Sequence, residues 1–211
     1  MTAPYRICFV CTGNICRSPM AESVFRARLA EDGLDGLVEV DSAGTGGWNE
    51  GDGADPRTVA VLRAGGYEHA HTARQFQASW FSHLDLVIAL DSGHLHELRR
   101  LAPTAQDAAK VRLLRSYATG AAGAAGEALD GGSGTVPGRT PGRTPDPAPD
   151  LDVPDPYFGG LAGFEECLEM IETASDGLLA EVHTALTARA AGHDDRHPEQ
   201  APHHPPEEES A

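Results

Sequence analysis

The sequence predicts a single-domain α/β fold of three layers, with helices on both faces of a four-stranded parallel sheet. Three observations carry this. Short apolar runs alternate with longer helical patterns in the order β-α-β-α-β-α-β-α, which in parallel sheets places the connecting helices over the two faces. The run "LDLVIAL" (84–90) is apolar without alternation, as in a strand buried on both sides. The chain has 211 residues, 40% of them apolar, enough for one substantial core.

Residues 5–10, "YRICFV", form the first strand. A helix follows over 19–32, with Met20, Val24, Ala27 and Leu29 at roughly helical spacing and Gly33 as terminator. "LVEVDSAG" (37–44) alternates as a strand, and "DPRTVAVLRAGG" (55–66) is a helix with proline near its start and glycine at its end. The strand at 84–90 leads into a helix at 91–103 that begins on a capping aspartate and stops at proline. "KVRLL" (110–114) is the fourth strand, and 164–190 supplies a long amphipathic helix. The domain therefore comprises 1–117 and 151–189. Residues 118–150 hold 8 Gly, 7 Ala and 5 Pro among 33 and are expected to be a flexible insertion. Residues 190–211, rich in Pro, His and acid, are expected to be a disordered tail.

Charge narrows the partners. A formal net charge of −16 argues against nucleic acid and against an anionic membrane surface. No apolar run reaches the ~20 residues of a membrane span, and no signal peptide is visible, so the expected location is the cytoplasm. The cysteines are Cys8, Cys11, Cys16 and Cys167. Cys8 and Cys167 read as small buried residues. Cys11 and Cys16 lack the second close pair of Cys or His that a zinc site needs, so no metal and no cofactor is expected.

The chemistry concentrates in "CTGNICRS" (11–18), between the first strand and the first helix. In a parallel sheet the site lies beyond the C-terminal strand ends. A loop there offers unpaired N–H groups and the positive end of a helix to an anion. Gly13 lets the backbone curl, and Asn14 tolerates a left-handed conformation. The amides from Cys11 through Thr12, Gly13, Asn14, Ile15 and Cys16 to Arg17 can surround one tetrahedral oxyanion, and Arg17 adds a two-pronged donor. Cys11 would lie beneath the bound phosphorus and attack as the thiolate, with Ser18 placed to hydrogen-bond it. The missing Gly-Lys-Ser/Thr ending argues against a nucleotide P-loop. Cleavage of a phosphate ester also needs an acid. "VPDPYFGG" (153–160) offers Asp155 beside two aromatic residues, although this stretch taken alone reads better as an ordinary Asp-Pro turn.

Taken together, "CTGNICRSP", "DSAGT" (41–45), "DPR" (55–57), "HTARQF" (71–76), "LDLVIALD" (84–91) and "DPYFGG" (155–160) resemble the low-molecular-weight protein tyrosine phosphatase family in order and spacing, over roughly 4–117 and 151–188. The resemblance implies hydrolysis of phosphotyrosine in proteins through a cysteinyl-phosphate, without metal. Cys11 would be the nucleophile, Arg17 the phosphate ligand and Asp155 the acid and then the base. Asn14, Ser18, Ser42 and His71 would hold the loop's shape, and Trp48 and Tyr157 would flank the ring. Cys16 would form a reversible disulfide with Cys11, and Asp91 would cap its helix. The family is mostly monomeric or weakly dimeric. Phe158 stands where many members carry a second tyrosine. The alternatives are a thiol-linked arsenate reductase, disfavoured because 70–100 hold no cysteine, and an inactive phosphotyrosine-binding module, disfavoured because Cys11, Arg17 and Asp155 are all present.

Overall fold

A computed structural model describes residues 3–118 and 150–194. Four parallel strands, β1 (Tyr5–Cys11), β2 (Val38–Gly44), β3 (Leu86–Ala89) and β4 (Val111–Leu113), lie in the order β2-β1-β3-β4. β1 leads out to β2 on one side, and the chain then returns to β3 on the other. The strand order thus reverses at the C-terminal end of β1, where a crevice opens.

The side-chain alternation of β1 sorts residues between two cores. Ile7, Phe9 and Cys11 join the cluster formed with α1 (Arg17–Glu31), α2 (Pro56–Ala64) and α5 (Leu161–Asp194). Cys8 and Val10 join the smaller cluster under α3 (Ser92–Leu101). One residue of register therefore separates Cys8 from the face that carries Cys11. Phe9 meets Phe25 of α1 edge to face at 5.8 Å, which fixes that helix over the strand that feeds it.

The expected strands and long helices are present with shifted ends. α1 starts two residues earlier than its pattern suggested, because Arg17 and Ser18 already hold helical geometry. A short helix, α4 (Ala105–Ala109), and two single 3-10 turns (Ala78–Ser82 and Leu114–Ser116) had no periodic signal to announce them. α5 continues to Asp194, so the first residues assigned to the tail are helical. The rest of that tail, and the insertion from 119 to 149, lie outside the described residues.

α5 passes very close to the segment after β4. A Cβ built on Gly177 would lie 2.3 Å from the backbone oxygen of Tyr117. That oxygen cannot swing aside, so Gly177→Ala should incur the upper end of the ~1–3 kcal/mol overpacking range. This exceeds the ~1 kcal/mol gained in helix propensity. The expected net loss of about 2 kcal/mol would appear as a lower urea midpoint at unchanged slope.

Candidate active site

After Cys11 the chain bends through residues 12–16 and enters α1 at Arg17. Helices α2, α3 and α4 are each capped by a side chain, from Asp55, Asp91 and Thr104. α1 has no side-chain cap and no acid in its first turn. Its N-terminal amides and dipole are left for an anion.

The loop is shaped from behind. Asn14 adopts φ +56°, the one non-glycine residue with positive φ among the described residues. The cost of that conformation is offset by its amide, which donates to Ser18 Oγ and Ser42 Oγ at 2.9 Å each. Its Oδ1 accepts from the Arg74 amide at 3.0 Å. His71 Nε2 lies 2.6 Å from the Asn14 carbonyl. Burial lowers the His71 pKa against the raising effect of that carbonyl, so the neutral ring donates its Nε2–H. The left-handed turn falls at Asn14, as expected, and at Gly13 an added Cβ would meet Asn49 Nδ2, whose amide donates to the Gly13 carbonyl at 3.2 Å.

The sulfur of Cys11 is 3.0 Å from Ser18 Oγ, and both residues are buried. Ser18 Oγ already accepts from Asn14 and lies 3.2 Å from the Ala43 carbonyl. Its single proton therefore has two destinations. With Cys11 as thiol, S–H donates to Ser18 and the hydroxyl turns to Ala43; with Cys11 as thiolate, the hydroxyl donates to sulfur. Burial pushes the thiols of Cys8, Cys16 and Cys167 up to about 12, which keeps those three protonated.

Arg17 is almost fully buried, and both its terminal nitrogens are engaged. Nη1 donates to Asp91 Oδ2 at 2.8 Å and to the Val153 carbonyl at 3.0 Å. Nη2 donates to Thr12 Oγ1 and to Asp155 Oδ2, both at 3.1 Å. Asp91 caps α3 through the His94 amide at 2.8 Å, and it also holds Arg17. His94 Nε2 lies 2.8 Å from Thr12 Oγ1, which closes a ring of Arg17, Asp91, His94 and Thr12. Burial would raise the Asp91 pKa, but the bonds from His94 and Arg17 outweigh it and hold this carboxyl well below the usual range.

These elements enclose a cavity of about 250 Å³. Its floor is formed by Cys11, Thr12, Gly13, Ile15, Cys16 and Arg17, and its sides by Trp48, Asn49, Asp155, Tyr157 and Phe158. Trp48 is 72% exposed, with its ring laid against Gly46, where any Cβ would collide with it. Tyr157 and Phe158 meet edge to face at 5.0 Å, and Phe158 is 93% exposed at the mouth. The shape suits a flat ring bearing a tetrahedral anion at its inner end. Among the described residues, no group of three or more His, Cys, Asp or Glu is arranged to hold a metal ion.

The sequence model of the low molecular weight phosphotyrosine protein phosphatase family matches residues 6–134 and 145–189. This chain belongs to that family. It is 63% identical to the low molecular weight protein-tyrosine-phosphatase of Streptomyces coelicolor over 187 residues, 89% of this chain and 99% of that one. It is 43% identical to the low molecular weight protein-tyrosine phosphatase A of Mycobacterium tuberculosis over 178 residues, 84% and 91% of the two chains. Among solved structures, YfkJ from Bacillus subtilis superposes with a TM-score of 0.68 at 31% identity, covering 87% of this chain and 98% of that one.

Within this family member the structure brings every sequence-derived candidate to one place. Cys11, Arg17, Asp155, Trp48 and Tyr157 face the cavity, while Asn14, Ser18, Ser42 and His71 lie behind the loop. Sequence reading missed Glu22 and His94. Glu22 is buried, accepts from Ser42 Oγ at 2.5 Å and pairs with Arg26 at 2.7 Å, so it orients the serine that supports Asn14. The available signal was its place four residues after Ser18, on the same helix face. His94 stood one turn into a helix that Asp91 already marked as capped.

Proposed function

We propose that this protein hydrolyses phosphotyrosine in proteins by way of a phosphocysteine. One observation carries the reading: a thiol and a guanidinium from the loop at 11–18 and a carboxylate from the distant Asp155 turn meet at the N-terminus of α1, which no side chain caps. The phosphate dianion binds the loop amides and Arg17, taking over the contact that Asp155 makes there. The Cys11 thiolate attacks phosphorus, the P–O bond to the phenol breaks, and Asp155 gives its proton to the departing oxygen. Asp155, now a carboxylate, takes a proton from water, which attacks phosphorus and expels the thiolate. Ser18 donates to that sulfur as it leaves. Inorganic phosphate is released and the enzyme is restored. Trp48 and Tyr157 hold the ring, and the depth of the cup favours the long phosphotyrosine over phosphoserine.

Cys16 would close a disulfide on Cys11 once a peroxide has oxidised that sulfur to the sulfenic acid, the sulfenic oxygen and the Cys16 proton leaving as water. Both are free thiols here. Among the described residues no helix is long and apolar enough to cross a membrane. Our reading is a cytoplasmic monomer or weak dimer acting on tyrosine-phosphorylated proteins.

The test is Asp155→Ala. We expect kcat on a tyrosine phosphate to fall by ~10²–10⁴-fold, while phosphate still binds. Unchanged kcat would assign the proton to another group.

A further inference from the structure

The Asp55–Arg57 turn lies outside the cavity yet touches both loops that build it. The Asp55 amide donates to the Ile15 carbonyl of the catalytic loop at 2.8 Å. Two residues on, Arg57 Nη1 donates to the Gly159 carbonyl at 2.9 Å, four residues beyond Asp155. The guanidinium is itself held in place. Nε and Nη2 grip the two Asp55 carboxylate oxygens at 2.9 and 2.8 Å. Its carbon stands 4.4 Å from the Phe164 ring centre and 5.7 Å from that of Tyr157. A doubly bonded, stacked arginine loses little further entropy on reaching Gly159.

The acid turn is organised around that contact. The Gly159 amide donates to the Pro156 carbonyl at 2.9 Å, and the Tyr157 amide donates to Asp155 Oδ1 at 3.2 Å. The opposite end of the segment is fixed by Val153, whose amide bonds Leu90 at 2.8 Å and whose carbonyl accepts from Arg17 at 3.0 Å. Asp152 is tied to the Ser92 amide and hydroxyl at 2.7 and 2.8 Å. These anchors stand between Asp155 and the insertion that precedes it.

We propose that Arg57 is a positioning residue for the acid. It ties the Asp155 turn to the start of α2, which also holds the catalytic loop, and so fixes the carboxyl relative to the Cys11 sulfur. The inference rests on the reading of Asp155 as general acid. Displacement of a reacting group by about 1 Å can cost up to ~10²-fold, and loosening one end of a turn anchored at the other should cost less.

The test compares kcat/KM across aryl phosphates of graded leaving-group basicity, from nitrophenyl to phenyl phosphate. The proteins are wild type, Arg57→Met, Arg57→Lys, Asp155→Asn and Arg57→Met/Asp155→Asn. Methionine keeps an unbranched chain against Phe164 but cannot donate to Gly159. For Arg57→Met we expect about a tenfold loss on phenyl phosphate and less than about twofold on the nitrophenyl ester, which departs without a proton. Lysine should fall between methionine and wild type, and it carries the same comparison if the methionine variant does not fold. In the Asp155→Asn background Arg57→Met should change nothing further. Equal loss across the series, or full multiplication of the two effects, overturns the role of Arg57 and leaves that of Asp155 standing. An Asp155→Asn protein with wild-type leaving-group dependence overturns the acid reading, and that of Arg57 with it.

Discussion

Replacing Cys11 with serine should abolish turnover of aryl phosphates, by at least about 10⁴-fold, while phosphate and vanadate still bind within a few-fold of wild type. The two halves of this expectation have separate physical origins. In the proposed mechanism anion affinity comes from the uncapped N-terminus of α1, the loop amides and Arg17, and none of these is altered by exchanging sulfur for oxygen. Chemistry needs a nucleophile that gives up its proton before it attacks, and a hydroxyl does so far less readily than a thiol without a base beside it. Among the described residues no carboxylate or imidazole is hydrogen-bonded to Cys11 or to Ser18, and Ser18 is bonded to Asn14 and Ala43. Binding measured by calorimetry alongside turnover separates the halves. A serine variant that retained substantial activity would place the attacking group elsewhere.

Arg17→Ala should lower kcat/KM by roughly 10³–10⁵-fold, the range seen when an arginine that neutralises a transferring phosphoryl group is removed. It should also weaken the fold, which Cys11→Ser should not. Arg17 is the hub of the ring with Asp91, His94 and Thr12 and reaches across to Val153, so its loss leaves a half-buried Asp91 carboxylate short of a partner. Breaking a fully buried pair costs ~3–5 kcal/mol, and the partial exposure of Asp91 brings the expectation to about 2. The sign with pH follows from linkage. The Asp91 pKa is depressed in the folded state, so its contribution is fully present above the unfolded value of about 4 and is lost as pH falls through the folded value. The stability gap between wild type and Arg17→Ala should therefore be widest above about pH 4 and narrow in stronger acid. Urea titrations at several pH values measure it. A gap independent of pH would mean that Asp91 does not need Arg17.

The sheet and its long helices were legible because each rests on a local pattern. The apolar stretch around 86–90 reads as a strand covered on both faces, and the short apolar run at 5–10 as the strand that feeds the loop. The catalytic loop was legible for the same reason, since Cys11 through Ser18 are contiguous and sit where a strand meets a helix. Asp155 was not recoverable from its own surroundings; an Asp-Pro turn has many uses, and the aspartate reaches the cavity through anchors at Arg17, Leu90, Ser92 and Arg57 far off in sequence. His94 and Glu22 were hidden for a related reason. Each acts through a tertiary hydrogen bond, to Thr12 and to Ser42, that no helical periodicity encodes. The contact of Gly13 with Asn49, thirty-six residues away, was likewise out of reach of any local pattern.

The most direct test is to stop the reaction within a turnover and find where the phosphoryl group is. Wild-type protein mixed with an aryl phosphate and rapidly quenched should yield one phosphorylated peptide, containing residues 11–18, with phosphorus bonded to the Cys11 sulfur by phosphorus NMR and mass spectrometry. Phosphate on any other side chain, or full turnover with the Cys11 sulfur never modified, would contradict the mechanism.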